Sequence, residues 1–576
     1  MRRSKLLVAA LAVPLIGGIT AVAAPVALAG PQPTGPATEF TVLSAEGQSP
    51  AAAEQAVRDA GGTVVHTNTA IGLITATAPA QGFAELVSAN TAVEGAAKAR
   101  PIGHAPKNAE RPAPDVVEKE GQRAGKKATP QQKPAAPVGL DPLDEKLWGL
   151  KSVRSDMSRT DQPGDKRVKV GVIDTGVDAS HPDIAPNFDE ATSRNFTRDI
   201  PADENGNVVD GPCEFRGCVD PVGHDDGGHG THVAGTIAAA ANGFGLSGVA
   251  PNVSLVNLRA GQDSGSFFLQ SVVDAITYSG DAGVDVTNMS FYVDPWLYNC
   301  DSNAADSPEQ QREQRTTTKA VNRALKYAHS KGVTQVTSLG NQHTDLGAPQ
   351  PDVTSPNFPS GNEKERDIDN ASCVSLPVEG AHTIGVSAFG PSQAKADYSN
   401  YGTEQISVSA PGGYFRDGFG TDWFNTNENL ILSTYPKNVA IAEGMVDEAG
   451  NVTPEGVEAG VQKQTAADGR VGYYQYLQGT SMASPHATGV AAVIVSQFGK
   501  AKRGEFGMAP DAVQRVLEGT AAKIACPVPG TVDYIDEGRD ESFTATCTGT
   551  PQFNGFYGHG AVDAYSAIKH GKQFVK

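Results

Sequence analysis

Val168-Lys169-Val170-Gly171-Val172-Ile173-Asp174-Thr175-Gly176 reads as a buried strand that ends in an acid and a turn. Its apolar residues follow one another almost without a break, as in a strand covered on both faces. Outward from it, helix-like and strand-like runs alternate. Residues 230–241 have a helical pattern, 254–258 are strand-like, 269–278 have helical spacing, and 284–290 are strand-like again. Residues 316–331 predict a basic amphipathic helix, 335–339 and 383–388 two further strands, and 481–498 a long apolar helix. Alternation of this kind implies an α/β fold, a three-layer α/β/α sandwich with a mainly parallel sheet. Residues 413–478 are longer than a strand-to-helix connection requires and read as an insertion.

The chain has 576 residues, 39% apolar and 19% charged, which is a globular composition. Lysine plus arginine number 46 against 65 acids, a net charge of −19 that argues against nucleic acid as a partner. Arg2, Arg3 and Lys5 precede an apolar stretch at 6–16, and Ala27-Leu28-Ala29 forms a small-x-small site. Residues 1–29 therefore read as a signal peptide, and the rest as secreted, extracellular and free of the membrane once the signal is removed. Residues 30–105 contain a small α+β unit: strands at 40–44, 62–66 and 71–78, and helices at 51–60 and 83–88. Residues 106–140 are rich in proline and charge and read as an exposed linker.

Three short segments stand apart from scaffold. Asp174 lies just past the end of a buried strand, the edge at which open α/β sheets bind ligands. His229-Gly230-Thr231-His232 follows a glycine pair and opens a helix. No third ligand at a supporting spacing accompanies the two histidines, so a metal site is not favoured there. Gly479-Thr480-Ser481-Met482-Ala483-Ser484-Pro485-His486 opens the long apolar helix. Ser481 would carry its amide at the positive helix end, and Pro485 is expected in the first turn, where it would lose no hydrogen bond. A nucleophilic serine needs a base, and the base needs an acid to orient it. The chain supplies the three types in the order acid, histidine, serine.

These segments closely resemble the three signature segments of the subtilisin-like serine peptidases, over roughly residues 145–570. The resemblance implies that Asp174 orients His229, that His229 is general base and then acid, and that Ser481 attacks the scissile carbonyl. It implies the same for Asn341, in Ser338-Leu339-Gly340-Asn341, as a side-chain donor in the oxyanion hole. Asp263-Ser264-Gly265-Ser266 resembles the family's substrate-pairing edge segment, and Ser290-Phe291-Tyr292-Val293 stands at the second such segment. Ser264, Gly265, Ser290, Phe291, Tyr292 and Gly340 are thus the expected substrate-binding residues. Tyr292 and Val293 replace two glycines common in the family, which predicts a narrowed or reshaped pocket. The 30–105 unit resembles the family's ferredoxin-like propeptide, an intramolecular inhibitor and chaperone, whose terminal segment would run from Val93 to a processing point near Ala105. Residues 141–576 then form the catalytic domain.

The chemistry requires no cofactor. His181-Pro182-Asp183 resembles a segment whose aspartate ligates a structural calcium ion, with Asp183 and Asn242 as the candidate ligands and Asp225 and Asp226 read as solvated charge. Six cysteines allow several pairings. Proximity in sequence favours Cys213 with Cys218 and Cys526 with Cys547, leaving Cys300 with Cys373. The function expected is a secreted, propeptide-activated serine endopeptidase, a monomer acting on protein or peptide substrates. The alternatives are a narrow processing or end-trimming peptidase of the same fold and, more remotely, a catalytically silent binding scaffold.

Overall fold

A computed structural model describes residues 33–99, 117–123, 141–201, 210–265, 267, 269–293, 295–357, 362–502 and 505–576. The expected signal peptide and the processing point near Ala105 lie outside these residues. In the N-terminal unit the chain runs β1 (Thr34–Ser44), α1 (Pro50–Asp59), β2 (Thr63–Asn68), β3 (Leu73–Gln81), α2 (Phe83–Ser88) and β4 (Val93–Lys98). The four strands form one antiparallel sheet in the order β2-β3-β1-β4, a ferredoxin-like topology. Phe40, Val42, Ile74 and Ala76 on one face bury the apolar sides of the two helices, Ala53, Val57, Phe83 and Val87 among them.

The central sheet has seven strands, all paired in parallel. They are β5 (Lys169–Ile173), β6 (Arg194–Asn195), β7 (Ser254–Arg259), β8 (Val286–Met289), β9 (Thr334–Ser338), β10 (Thr383–Phe389) and β11 (Ile406–Pro411), in the spatial order β11-β10-β9-β8-β5-β7-β6. Helix α3 (His229–Ala238) and the long helix α6 (Thr480–Phe498) cover one face of the sheet, with Val170, Val172 and Leu255 beneath them. Helices α4 (Leu269–Asp281) and α5 (Pro308–Lys331) cover the other, over Ile173, Val256 and Leu258. Helix α5 begins earlier than its apolar spacing predicts, because Ser307 and Gln310 cap it reciprocally. From β5 the sheet is extended on one side by β7 and on the other by β8, so the connections diverge at the carboxyl end of β5. That divergence opens the crevice in which an α/β sheet binds its ligand.

The N-terminal unit docks on α4 and α5. Leu43, Ile71 and Leu73 share an apolar cluster with Val272, Ala320 and Val321. Asn68 Nδ2 donates to Asp274 Oδ1 and Thr277 Oγ1, each at 2.7 Å, and Arg323 Nη1 donates to the Ser44 carbonyl at 2.7 Å. Residues 413–478 hold an antiparallel sheet of β12 (Ile431–Tyr435), β13 (Gln462–Thr465) and β14 (Val471–Leu477), with β14 in the centre. Within this expected insertion, β14 leads into α6 and its Gln475 and Leu477 line the crevice. The disulfides are Cys213–Cys218, Cys300–Cys373 and Cys526–Cys547. Among the described residues no helix is long and apolar enough to cross a membrane.

Candidate active site

Asp174 follows β5 with its carboxylate fully buried, and its Oδ1 lies 2.7 Å from His229 Nδ1. His229 opens α3, whose first turn is built around a second acid. Asp225 accepts from Thr175 Oγ1 and from the amides of Gly227 and Gly228 through Oδ1, and from Thr231 N and Oγ1 through Oδ2. Asp225 is 1% exposed, so the expectation that it is solvated charge is corrected: fold contacts with Thr175 and α3 take it out of water. Asp226 does carry a partner charge, His224, at 2.8 Å. His232 turns away from the crevice. Its Nε2 lies 3.1 Å from the Ile431 carbonyl and 3.3 Å from that of Gln475, and burial pushes its pKa down to about 3. A neutral, buried His232 is a structural anchor between α3 and the β12–β14 sheet.

Ser481 is the second residue of α6, where a helix amide has no intrahelical acceptor. Gly479 before it has φ 151°, and a Cβ there would come within 3.3–3.4 Å of Glu118 and Asn341, so the crevice floor needs a glycine. Asn341 Oδ1 accepts from Thr480 N at 2.9 Å and Thr480 Oγ1 at 2.8 Å. This ties up the acceptor end of the amide, while Nδ2, the donor end, lies 3.4 Å from where a Cβ on Gly479 would stand. Pro485 lies inside α6, not in its first turn. The carbonyl of Ser481, deprived of a helical donor by the proline, accepts instead from Ser290 Oγ at 3.0 Å.

Ser264, Gly265, Ser290, Phe291, Tyr292 and Gly340 all line the same cavity of about 260 Å³, with His229, Asn341 and Ser481. The Phe267 and Phe291 rings stack at 4.4 Å, and Val293 is buried with its amide donating to the Leu376 carbonyl at 2.8 Å. Arg259, fully buried, pairs with Asp220 at 2.6 Å and with Asp263, which anchors the 263–265 edge segment. Asp183 and Asn242 are adjacent but do not fit a calcium ion. Asp183 Oδ1 accepts from Asn242 Nδ2, and Oδ2 accepts from Tyr474 OH and the Leu246 amide. A calcium ion needs six to eight oxygen ligands, whereas here three N–H and O–H donors already point at the Asp183 carboxylate. That polar network holds the 242–246 loop.

Part of the expected exposed linker sits in the crevice. Glu118 is 8% exposed, and its Oε1 lies 3.6 Å from His229 Nε2. Gln478 holds the segment by donating its amide to the Glu118 carbonyl at 3.1 Å and its Nε2 to the Val117 carbonyl at 3.0 Å. Glu120 is gripped by Arg416 at 2.6 Å and Arg539 at 2.9 Å, and Lys119 pairs with Glu443. Composition could not reveal this, because the partners are supplied from hundreds of residues away. Burial opposes a charge on His229, but Asp174 and Glu118, by charge and hydrogen bond, outweigh it and hold the pKa well above the ordinary value. A protonated His229 has no lone pair on Nε2 to accept a proton from Ser481, whose Oγ donates to the Ser290 carbonyl at 3.4 Å.

Residues 165–560 match the family model described as the Subtilase family. The chain is 27% identical over 399 residues to a thermophilic serine proteinase of Bacillus sp. (strain AK1), covering 69% of this chain and 66% of that protein. It is 26% identical over 351 residues to subtilisin DY of Bacillus licheniformis, covering 61% and 85%. The fold is similar to the solved structure of an epidermin leader peptide processing serine protease from Staphylococcus aureus (TM-score 0.59, 20% identity, 93% of this chain and 98% of that one). It also resembles fervidolysin from Fervidobacterium pennivorans (TM-score 0.54, 22% identity, 93% and 61%). With a family model matched across residues 165–560, most of the parallel-sheet domain, the chain belongs to the subtilase family of serine peptidases.

Proposed function

We propose that the protein is a secreted serine endopeptidase, made as a precursor that its own N-terminal region restrains. The observation that carries this reading is the 2.7 Å contact of Asp174 with His229 in a crevice shared with Ser481 and the Asn341 amide. In the reaction His229 Nε2 takes the Ser481 proton as Oγ attacks the scissile carbonyl, and Asp174 stabilises the imidazolium. The Ser481 amide and Asn341 Nδ2 donate to the oxyanion. His229 then protonates the leaving amine, an acyl-enzyme forms on Ser481, and water releases it by the same steps. The chemistry uses only side chains and amides of this chain.

In the precursor His229 is held between two carboxylates, Asp174 and Glu118, and Ser481 Oγ is turned to the Ser290 carbonyl. Both facts support a restrained state that ends when residues 117–123 leave. A second reading, a narrow processing peptidase, is favoured by Tyr292 and Val293 standing at positions where the family commonly has glycine, and by the aromatic wall of Phe267 and Phe291.

Intact mass of the secreted protein before and after a fluorophosphonate probe, beside Ser481→Ala, tests the main reading. Loss of the N-terminal region and a single adduct in wild type, with neither in Ser481→Ala, is the expected result. A processed, folded wild-type protein that takes no adduct would overturn it. Cleavage of a peptide library separates the two readings: cuts at one sequence only would select the processing peptidase.

A further inference from the structure

We propose that Arg416 and Arg539 form a substrate subsite for an acidic side chain on the leaving-group side of the scissile bond, a site that Glu120 fills while the precursor is closed. This inference rests on the peptidase reading and adds a specificity to it.

His229 must hand its proton to the leaving amine, so the leaving-group half of a substrate starts at His229 Nε2. Glu118 lies at that nitrogen, and from there the chain passes over Gln478 and Gly479 toward Glu120. The other half of a substrate would lie on the opposite side of Ser481, along Ser264, Gly265 and residues 290–292. The segment turns rather than extends, since residues 120–123 form a 3₁₀ helix, which rises about 2 Å per residue against about 3.3 Å in an extended peptide. Glu120, two residues beyond Glu118, therefore stands about where the second residue of an extended substrate after the scissile bond would fall.

The site is built for a carboxylate. Arg416 Nη2 meets Glu120 Oε1 at 2.6 Å, while Arg539 Nη2 meets Oε2 at 2.9 Å and Gln478 Nε2 meets the same oxygen at 3.1 Å. Both guanidinium groups are largely buried, at 20% and 17% side-chain exposure. They are fixed from behind: Arg539 pairs with buried Asp397, and Arg416 Nη1 donates to the Glu537 carbonyl at 2.6 Å. Glu537 is itself pushed up to about 7, by burial first and then by Asp397. When Glu120 leaves, two arginines face Asp397 and a weakly ionised Glu537, a locally cationic cradle in a chain of net charge −19. Such a cradle takes a carboxylate by paired, charge-assisted hydrogen bonds.

The test uses the secreted protein, with quenched peptides that differ only in Glu, Gln or Lys at the second and third positions after the scissile bond. Wild type is expected to prefer Glu over Gln at one of these positions by about tenfold in kcat/KM, the scale of one charge-assisted hydrogen bond. In the double variant Arg416→Glu/Arg539→Glu the preference should pass to Lys, a reversal that only a folded protein can show. A second arm measures binding of the synthetic peptide Val-Glu-Lys-Glu-Gly-Gln-Arg, the sequence 117–123, against the same peptide with Gln for Glu120; the acidic form should bind about tenfold more tightly. If Ser481 takes the fluorophosphonate but wild type cuts the Glu and Gln peptides equally, the subsite is wrong and the peptidase reading stands. If Ser481 takes no probe and no peptide is cut, the peptidase reading fails, and equal binding of the two synthetic peptides would overturn the subsite independently.

Discussion

Asp225 fixes the turn that carries His229, because its carboxylate collects five donors from Thr175, Gly227, Gly228 and Thr231. Replacing it by Asn puts an N–H₂ where at least two of those donors point, so the turn that carries His229 must shift. Asp225→Asn is expected to lower kcat by up to about 10²-fold with little change in KM, since displacing a catalytic group by even about 1 Å costs that much. The pH–rate profile should move with it, as His229 loses its fixed relation to Asp174; an unchanged profile with a simple loss of folded protein would mean a structural role alone. Asp174, His229, Asn341 and Ser481 were legible in the sequence because each sits in a short local motif that also sets its position at a strand or helix end. Asp225 was not, since Asp-Asp-Gly-Gly reads equally well as a solvated turn, and only contact with Thr175 buries it. The same limit hid Arg416 and Arg539, which meet Glu120 across 296 and 419 residues of chain.

Helix α6 joins the nucleophile to the sheet, and its one irregularity is placed with the crevice. Pro485 cannot donate to the Ser481 carbonyl, and Ser290, at the end of β8, supplies the missing donor while also bonding Ser484 Oγ at 2.7 Å. Asn288 Nδ2 fixes that hydroxyl at 2.8 Å. Ser290→Ala should therefore destabilise the fold by about 1–3 kcal/mol, the cost of an unsatisfied buried carbonyl. Thermal unfolding checks this; a variant as stable as wild type would mean that the proline leaves no group in need of a partner. At this scale the sequence was informative about which elements exist and less so about their ends. Buried strands and the apolar α6 announce themselves by composition, whereas the start of α5 depends on a Ser307–Gln310 cap that apolar spacing does not register. The β12–β14 sheet was read as an insertion because residues 413–478 are longer than a strand-to-helix connection requires, and length alone does not reveal that Gln475 and Leu477 line the crevice.

For the molecule as a whole, two segments pack on the parallel-sheet domain, the sheet of the N-terminal unit on α4 and α5 and residues 117–123 over His229. The first was foreshadowed by a compact α+β pattern ahead of the catalytic region; the second lay inside a stretch whose prolines and charges suggest only solvent. The second is also sensitive to pH. Glu118 and Asp174 face His229 and, against the opposing effect of burial, raise its pKa well above 6.5. A group whose pKa is raised by docking stabilises the docked state fully below its undocked pKa, and that contribution fades as pH rises through the docked value. Only the Glu118 contribution is lost on undocking, so residues 117–123 should be held most firmly at pH values where His229 is protonated and loosen toward alkaline pH. In full-length Ser481→Ala, which cannot cut itself, hydrogen exchange over 117–123, corrected for the intrinsic pH dependence, should show protection falling as pH rises. Glu118→Gln on the same background keeps the shape but removes one of the two charges, so its loss of protection should come at lower pH. If both proteins lost protection together, or if protection rose with pH, the Glu118–His229 pair would not be what closes the crevice, and the Arg416–Glu120–Arg539 grip would have to hold the segment alone.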